Sequence, residues 1–230
     1  MTKQITTVTF FKYQGIYNKV WAVSSMLFMH IRLRTVHGQS FYKLLGSGKS
    51  QFNPYPDWSV YALLQVWNSE HDANEYLAKS KSFTSFKKHT SYQYTVFLKN
   101  IKSKGTWAAK TPFTTSNSID TDVEKIAVIT RATIKINKLI LFWKTVPSSQ
   151  QGLVRNDALL FSKGIGEAPI FQMATFSIWE NEKSLNEFAY KSSGHVNAIK
   201  KTKRIDWYKE ELFARFQPYK TEGNWLYKPL

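Results

Sequence analysis

Residues 62–88 read ALLQVWNSEHDANEYLAKSKSFTSFKK, and residues 174–200, at a constant offset of 112, read ATFSIWENEKSLNEFAYKSSGHVNAIK. Eight of these 27 aligned positions are identical, whereas average residue usage would give about two. The likeness continues in flanking pairs, which are Trp21 with Trp143, Gly46-Ser47-Gly48 with Gly164-Ile165-Gly166, and Gly105-Thr106-Trp107 with Gly223-Asn224-Trp225. The chain is therefore predicted to be a duplication.

Each copy has the pattern of strand, helix, strand, strand, helix, strand. Runs rich in β-branched and aromatic residues predict the strands Thr6–Tyr13, Tyr61–Trp67, Tyr92–Ile101, Ile126–Ile136, Met173–Trp179 and Leu212–Tyr219. Helical spacing predicts the helices Val20–Leu33, Asn68–Lys79, Glu180–Lys191 and Leu139–Val146, the last of which Pro147 should end. Such a β-α-β-β-α-β unit is the ferredoxin-like arrangement. The fold class is therefore α+β, with two ferredoxin-like repeats, residues 1–112 and 113–230, forming one α+β barrel.

Composition excludes several classes of protein and site. Hydrophobic residues make up 43% of the chain, which is typical of a globular protein, and no apolar run approaches the roughly 20 residues of a membrane span. The absence of cysteine excludes disulfides, iron–sulfur clusters and thiolate metal sites. The first residues do not resemble a signal peptide. We therefore expect the protein in the cytoplasm or at the inner surface of the membrane.

The formal net charge is +16, from 26 Lys and 6 Arg against 16 acidic residues. Nucleic-acid binding proteins rely on arginine to read bases and phosphates, and the chain has no recognition motif, so we expect no nucleic-acid partner. A lysine-rich solvated surface explains the charge best. Contact with an anionic membrane surface is the alternative.

The stretch Gly46-Ser47-Gly48-Lys49-Ser50 resembles the end of a phosphate-binding loop. The full motif needs a glycine where Lys43 stands and a helix directly afterwards. Because Pro54 and Pro56 follow instead, a helix that donates its amides to phosphate is not expected there. The pattern does not predict a nucleotide site.

His195 stands apart from the other four histidines. His30, His37, His71 and His89 lie in polar or lysine-rich surroundings without metal-binding spacing, which indicates surface positions. His195 instead aligns with Phe83 of the first copy. It is either a helix-cap or core histidine or the single protein ligand of a large cofactor such as haem, whose iron needs only one imidazole.

Arg131 is the second unusual residue. Strand alternation places it on one face with Ala127 and Ile129, and the first copy has Thr9 or Phe10 at the aligned position. A charged group on an apolar face either reaches a strand edge, where Glu167 or Glu182 could pair with it, or points into a cavity. In a cavity, its guanidinium could stabilise an anion beside a cofactor or hold a haem propionate.

Several strings together resemble the spheroidene monooxygenase family over most of the chain, from about Trp21 to Phe216. They are FYKLLGSG at 41–48, ITRA at 129–132, GIGEAP at 164–169, ATFSIW at 174–179 and EELFARF at 210–216. The resemblance implies a haem-dependent enzyme that oxidises acyclic carotenoids. The duplicated barrel also resembles chlorite dismutase, dye-decolorising peroxidase and aldoxime dehydratase, in which one histidine on a helix of the C-terminal half holds the haem. That role maps onto His195.

The sequence and the resemblance together predict a haem b protein whose iron is bound by His195. Arg131 is expected on the distal side. Phe142 and Phe176 are expected to contact the cofactor and, with Trp143, are candidates for the lining of an apolar channel. A carotenoid-like substrate and a ferredoxin-like electron donor are the expected partners, while the oligomeric state stays open. The alternatives are a peroxidase or an aldoxime dehydratase-like lyase on the same fold, and a non-enzymatic haem-binding protein.

Overall fold

The computed structural model describes residues 3–49, 53–150, 156–168, 170–191 and 204–225. Eight antiparallel strands close into a barrel in the order β1-β3-β2-β6-β7-β5-β8-β4. The strands are β1 (Ile5–Lys12), β2 (Gln39–Lys49), β3 (Asn53–Trp67), β4 (Tyr92–Gly105), β5 (Ile126–Ile134), β6 (Leu159–Ala168), β7 (Gln172–Trp179) and β8 (Tyr208–Gly223). The helices are α1 (Ile16–Leu33), α2 (Glu70–Lys79), α3 (Lys81–His89), α4 (Leu139–Gln150) and α5 (Glu182–Lys191), and a short 3₁₀ turn, Ile136–Lys138, precedes α4.

Each half of the barrel is a four-stranded ferredoxin-like sheet. The strand order is β4-β1-β3-β2 in the first half and β8-β5-β7-β6 in the second, and the halves join at β2–β6 and β4–β8. The predicted fold class is confirmed. The predicted boundary between residues 112 and 113 lies between β4 and β5 and stays a prediction.

Three features of the secondary structure differ from the sequence-based expectation. Helix α3 was not predicted; the Ser80 hydroxyl begins it by accepting a hydrogen bond from the Phe83 amide at 3.4 Å. Helix α4 continues past Pro147 to Gln150, because a proline removes one backbone donor while its own φ is compatible with a helix. The stretch that resembles a phosphate loop lies in β2, where the Ser47 hydroxyl donates to the Val60 carbonyl.

The strand registers show which positions of the two halves are equivalent. Ala62 pairs with Phe10, and its repeat partner Ala174 pairs with Arg131. Arg131 therefore occupies the position of Phe10, which decides between the two candidates from the sequence.

The glycines of β2 and β6 are aligned by the same argument. Gly46 pairs with Tyr61, and Gly166 pairs with Met173, the repeat partner of Tyr61. The equivalent of Gly46 is therefore Gly166, so the sequence alignment with Gly164 is wrong by two residues. This difference of two keeps each side chain on the same face of its strand.

The barrel has an apolar inner face and an outer face on which the helices pack. The inner face contains Val8, Phe10, Leu64, Ile129 and Phe176, among other buried residues. In the first half, the helices cover the outer face with one continuous cluster that includes Phe11, Met29, Leu63, Trp67 and Phe86. Among the described residues, no helix is long and apolar enough to cross a membrane.

Candidate functional site

The outer face of the second half carries small side chains at its centre. Ala127, Ile129 and Phe176 face the inner core, so alternation along β5 and β7 places their neighbours on the outer face. Seven outward residues are small, and we call them the small-residue bed: Thr130, Ala132, Ser162, Gly164, Gly166, Thr175 and Ser177.

One row of the bed crosses all three strands, whereas in the next row Met173 stands between Ala132 and Gly166. Thr130 lies opposite Thr175, and Thr175 lies opposite Gly164. With ordinary strand spacing, the bed extends about 10 Å across the strands and about 13 Å along them. Thr130 is exposed although it lies mid-strand, and a Cβ added at Gly164 would meet no atom within 4 Å. The centre of this face is therefore open to a ligand in the described part of the chain.

The first half carries larger residues at the equivalent positions. By strand register, Phe11 corresponds to Ala132, Leu63 to Thr175, Leu44 to Gly164, Tyr42 to Ser162 and Gln65 to Ser177. The bed therefore holds roughly 20 fewer non-hydrogen side-chain atoms than its counterpart in the first half. Within the described residues, the sheet is packed against its own helices in the first copy and is uncovered at its centre in the second.

Apolar clusters flank the bed at both ends. At one end, Trp179 packs on Phe188 of α5 with ring centroids 5.2 Å apart. At the other end, Phe142 of α4 packs edge-on against Trp207 at 5.3 Å. Phe142, predicted as a cofactor contact, thus lies at the margin of the bed.

Phe176 lies on the opposite face of the sheet from Phe142. It is fully buried inside the barrel, 5.5 Å from Phe10 and 6.0 Å from Phe161 between ring centroids. The structure therefore does not bring Phe142 and Phe176 together. Because Trp179 packs on the outer face, strand alternation along β7 places Phe176, three residues earlier, on the inner face.

The side chain of Arg131 points into the barrel and forms ion pairs with two carboxylates. Its side chain is 3% exposed. One terminal nitrogen donates to Glu210, and the other lies 3.5 Å from Glu167. Lys43 pairs with the second oxygen of Glu167, so two cations and two carboxylates form a neutral cluster. Pairing with Glu167 was one of the alternatives from the sequence, whereas Glu182 pairs with Arg215 instead.

Glu210 is the most strongly held carboxylate of this cluster. It accepts hydrogen bonds from the Thr106 hydroxyl at 2.9 Å and from the backbone amides of Ala109 at 2.8 Å and Ala108 at 3.3 Å. Burial raises the pKa of Glu210, but the Ala109 amide, the Thr106 hydroxyl and Arg131 outweigh it and lower the pKa to about 2. The cluster therefore ties β5 and β8 to the loop after β4.

Trp107 completes the cluster from the loop after β4. Its indole donates to Glu167 at 2.7 Å, and its ring lies 5.7 Å from the Arg131 guanidinium carbon. At the equivalent place of the other half, Phe10 lies 6.0 Å from Trp225. One end of the barrel interior thus holds a cluster of four charges, whereas the other holds aromatic rings and a single ion pair, Lys163 with Asp57 at 2.8 Å. The distal role of Arg131 stays a prediction. Its guanidinium and the bed lie on opposite faces of β5.

The histidines within the described residues form no metal site. His30 contacts the Tyr42 hydroxyl at 3.1 Å, and His89 stacks on Trp21 at 4.1 Å between ring centroids. In the described ranges, no group of three or more His, Asp or Glu could hold a metal ion. His195 lies outside the described residues.

The bed was not found from the sequence. Its signal is present in the glycine and serine content of β6, but small residues in a strand also suit bulges and close contacts. The signal becomes specific only when the registers align Gly164 with Leu44 and Ser162 with Tyr42.

Comparisons with known proteins agree with this architecture. No family model matches the chain. It is 36% identical to a spheroidene monooxygenase of Cereibacter sphaeroides over 96% of its own length and 69% of that protein. It is 32% identical to a spheroidene monooxygenase of Rhodobacter capsulatus over 97% of its own length and 94% of that protein. An aldoxime dehydratase crystallised with butyraldoxime shares the fold, with a TM-score of 0.66 at 9% identity over 96% of this chain and 83% of that one. The chain belongs to the spheroidene monooxygenase family, and its enzyme class is that of a monooxygenase, an oxidoreductase.

Proposed function

We propose that the protein is a haem-dependent monooxygenase that oxidises a carotenoid-like substrate, and that the small-residue bed is the face on which the haem lies. The observation that carries this proposal is the replacement of large outer-face residues by small ones in one copy only. The bed has apolar clusters at both ends, and its extent of about 10 by 13 Å is close to that of a macrocycle. A bound haem would supply the redox-active iron that oxygen insertion into an unactivated C–H bond requires.

The residues around the bed fit an apolar cofactor and substrate. Trp179 and Phe188 at one end, and Phe142 and Trp207 at the other, present rings that exclude water. Ser177 is engaged with the indole N–H of Trp179 at 3.0 Å, which satisfies that buried donor. A carotenoid-like substrate has little to hydrogen-bond, so contact with such rings and exclusion of water suit its binding.

His195 is the proposed iron ligand. Helix α5, whose Phe188 belongs to the Trp179 cluster, ends at Lys191, and the described chain resumes at Arg204, one residue before Ile205 of the Trp207 cluster. His195 lies between these two points in the sequence. The proposal predicts that His195→Ala loses the Soret band or binds haem much more weakly, as measured by the visible spectrum after reconstitution. Full haem occupancy with an unchanged spectrum would remove His195 from the proposal.

The position of the haem has its own test. The double variant Gly164→Leu/Thr175→Leu introduces the leucines that the first half has at these positions, Leu44 and Leu63, and thereby fills the bed. We expect it to fold but to bind haem at least about tenfold more weakly. The control is Thr221→Leu, which adds the same side chain at an exposed position of β8. Equal haem affinity in the filled variant and the control would contradict a haem on this face.

The substrate is tested in hosts that make acyclic or cyclic carotenoids. We expect new oxygenated carotenoids, and in vitro turnover that depends on a reduced ferredoxin. Turnover of an aldoxime without external electrons would instead identify a lyase, and peroxide-driven turnover a peroxidase. Bound haem without turnover of any of these compounds would indicate a haem-binding protein.

A further inference from the structure

Helix α1 has two apolar faces, and only one of them is used by the fold. Ala22, Ser25, Met29 and Leu33 are buried against the outer face of the first half. The opposite side carries a second apolar row. We call this row the α1 stripe: Ile16, Val20, Val23, Leu27 and Ile31, with Tyr17 and Phe28 beside it.

In the part of the chain that the structure describes, the α1 stripe is exposed from the first turn of the helix to its last. Ile16 is 84%, Leu27 80% and Ile31 75% exposed, so no described residue packs over these side chains. Single exposed apolar residues are ordinary in folded proteins. A continuous row that follows an 18-residue helix instead marks a surface that contacts another apolar phase.

Basic groups lie at both ends of the stripe. Lys19 lies in the first turn of α1, and Arg32 and Arg34 lie at its end, where both are exposed. Helix α3 packs on the N-terminal part of α1 through Phe86 and Trp21, whose rings lie 5.9 Å apart.

Helix α3 adds further positive charge beside that end. It ends with Lys87 and Lys88, which are both exposed. In the sequence, residues 1–56 contain seven Lys and Arg and no Asp or Glu. Helix α1 and the chain on either side of it, up to Pro56, therefore carry no negatively charged residue.

We propose that the α1 stripe docks the protein onto the surface of an anionic lipid bilayer, with α1 parallel to the membrane plane. Apolar residues on one side and flanking cations are the features of a helix that lies in the membrane interface. Helix α1 does not cross the bilayer, because its other face is buried in the protein core. The stripe also lies outside the bed, so docking leaves that face to its own ligand.

The charges around the stripe favour a membrane, and not a second copy of the chain, as its partner. A symmetric dimer through the stripe would bring Lys19, Lys87 and Lys88 of one copy near Arg32 and Arg34 of the other, or each set near itself. Helix α1 carries no carboxylate to pair with these cations. Like charges across an interface oppose association, whereas anionic head groups attract every one of them.

The test is flotation of the full chain with phosphatidylcholine vesicles that do or do not contain phosphatidylglycerol. We expect binding to the anionic vesicles that weakens at high salt, since each basic residue near such a surface contributes about fivefold. Leu27→Ser/Ile31→Ser should weaken binding at least about tenfold. Arg32→Gln/Arg34→Gln should weaken binding to anionic vesicles only.

The matched control is Ile136→Ser/Ile140→Ser. These residues are 82% and 75% exposed in the second half, so the control removes similar apolar area at another surface, and we expect it to bind as the wild type does. Circular dichroism checks that each variant is folded. The proposal would be overturned if Leu27→Ser/Ile31→Ser and the control lost vesicle binding equally, or if the wild type did not bind. A dimer in light scattering that Leu27→Ser/Ile31→Ser dissociates would also overturn it. None of these measurements depends on haem or turnover.

Discussion

Replacing Glu210 by glutamine removes one charge from the buried cluster and keeps the shape of the side chain. The glutamine carbonyl can still accept from the Ala109 amide and the Thr106 hydroxyl. It loses the ionic part of its interaction with Arg131. The expected effect is therefore a loss of folding stability that depends on the ionisation of Glu210.

The size of this loss follows from the pKa. Lowering the pKa of Glu210 from 4.5 to about 2 corresponds to about 3 kcal/mol, because one pKa unit is about 1.4 kcal/mol. The side chain is 19% exposed, and solvent screening reduces the expected value to about 2–3 kcal/mol. Since the pKa is lower in the folded state, this stability is complete above pH 4.5 and is lost as the pH falls toward 2.

The assay is urea unfolding of the wild type and Glu210→Gln between pH 7 and pH 3. We expect a difference in the free energy of unfolding of about 2–3 kcal/mol at pH 7, which shrinks as the pH falls below 4.5. Glu211→Gln is the control, because Glu211 is an exposed neighbour on the same strand and should change stability by less than about 0.5 kcal/mol. A difference that is constant over this pH range would refute the ionic account of the cluster.

Three further predictions test other parts of the architecture. Arg131→Leu should lower the free energy of unfolding by about 3–5 kcal/mol, because Glu167 and Glu210 lose their buried partner; normal haem content and turnover in the folded variant would agree with its place on the face opposite the bed, whereas normal haem with much slower turnover would support a distal role. Phe11→Ala should cost about 3–5 kcal/mol in thermal or urea unfolding, since Phe11 is fully buried and stacked on Phe86 at 5.0 Å. Gly105→Ala should destabilise the protein by more than about 1 kcal/mol, because φ is +94° and the new Cβ would lie 2.1 Å from the Glu211 carbonyl oxygen; Gly164→Ala, which meets open space, should not.

Most of the fold prediction follows from the duplication of the sequence. Identities such as Trp67 with Trp179 require the two copies to share one topology, and strand alternation located six of the eight strands. The closure of the barrel at β2–β6 was harder to derive, because β6 mixes glycine, serine and lysine and such residues weaken the strand pattern. Register, which depends on pairing across strands, could not be read from one strand alone.

The candidate site was less accessible from the sequence for a different reason. Arg131 is unusual in the sequence, but its partner Glu210 lies 79 positions away. Nothing in the stretch EELFARF at 210–216 except the family resemblance sets Glu210 apart. Phe142 and Phe176 were grouped because both are aromatic, whereas the sheet separates them onto two faces. The bed depends on what is absent from a surface, and this becomes visible only against the equivalent residues of the other copy.

The two outer faces of the barrel are complementary in what they leave free. In the first half, Phe11, Leu44 and Leu63 fill the space between sheet and helices, so α1 is fixed as a rigid element and its far side can carry the exposed stripe. In the second half, the smaller Ala132, Gly164 and Thr175 do not fill that space, so among the described residues the middle of the sheet, at Thr130 and Gly164, is left uncovered. A single sheet cannot both pack its outer face against helices and leave that face free for a ligand. Because the duplication supplies two copies of the same sheet, one copy can pack its helices while the other binds the ligand. Exchanging the residues that distinguish the halves should therefore impair ligand binding and leave folding intact: Ala132→Phe is expected to fill the bed as Phe11 fills its own half, and to weaken haem binding in the visible spectrum after reconstitution.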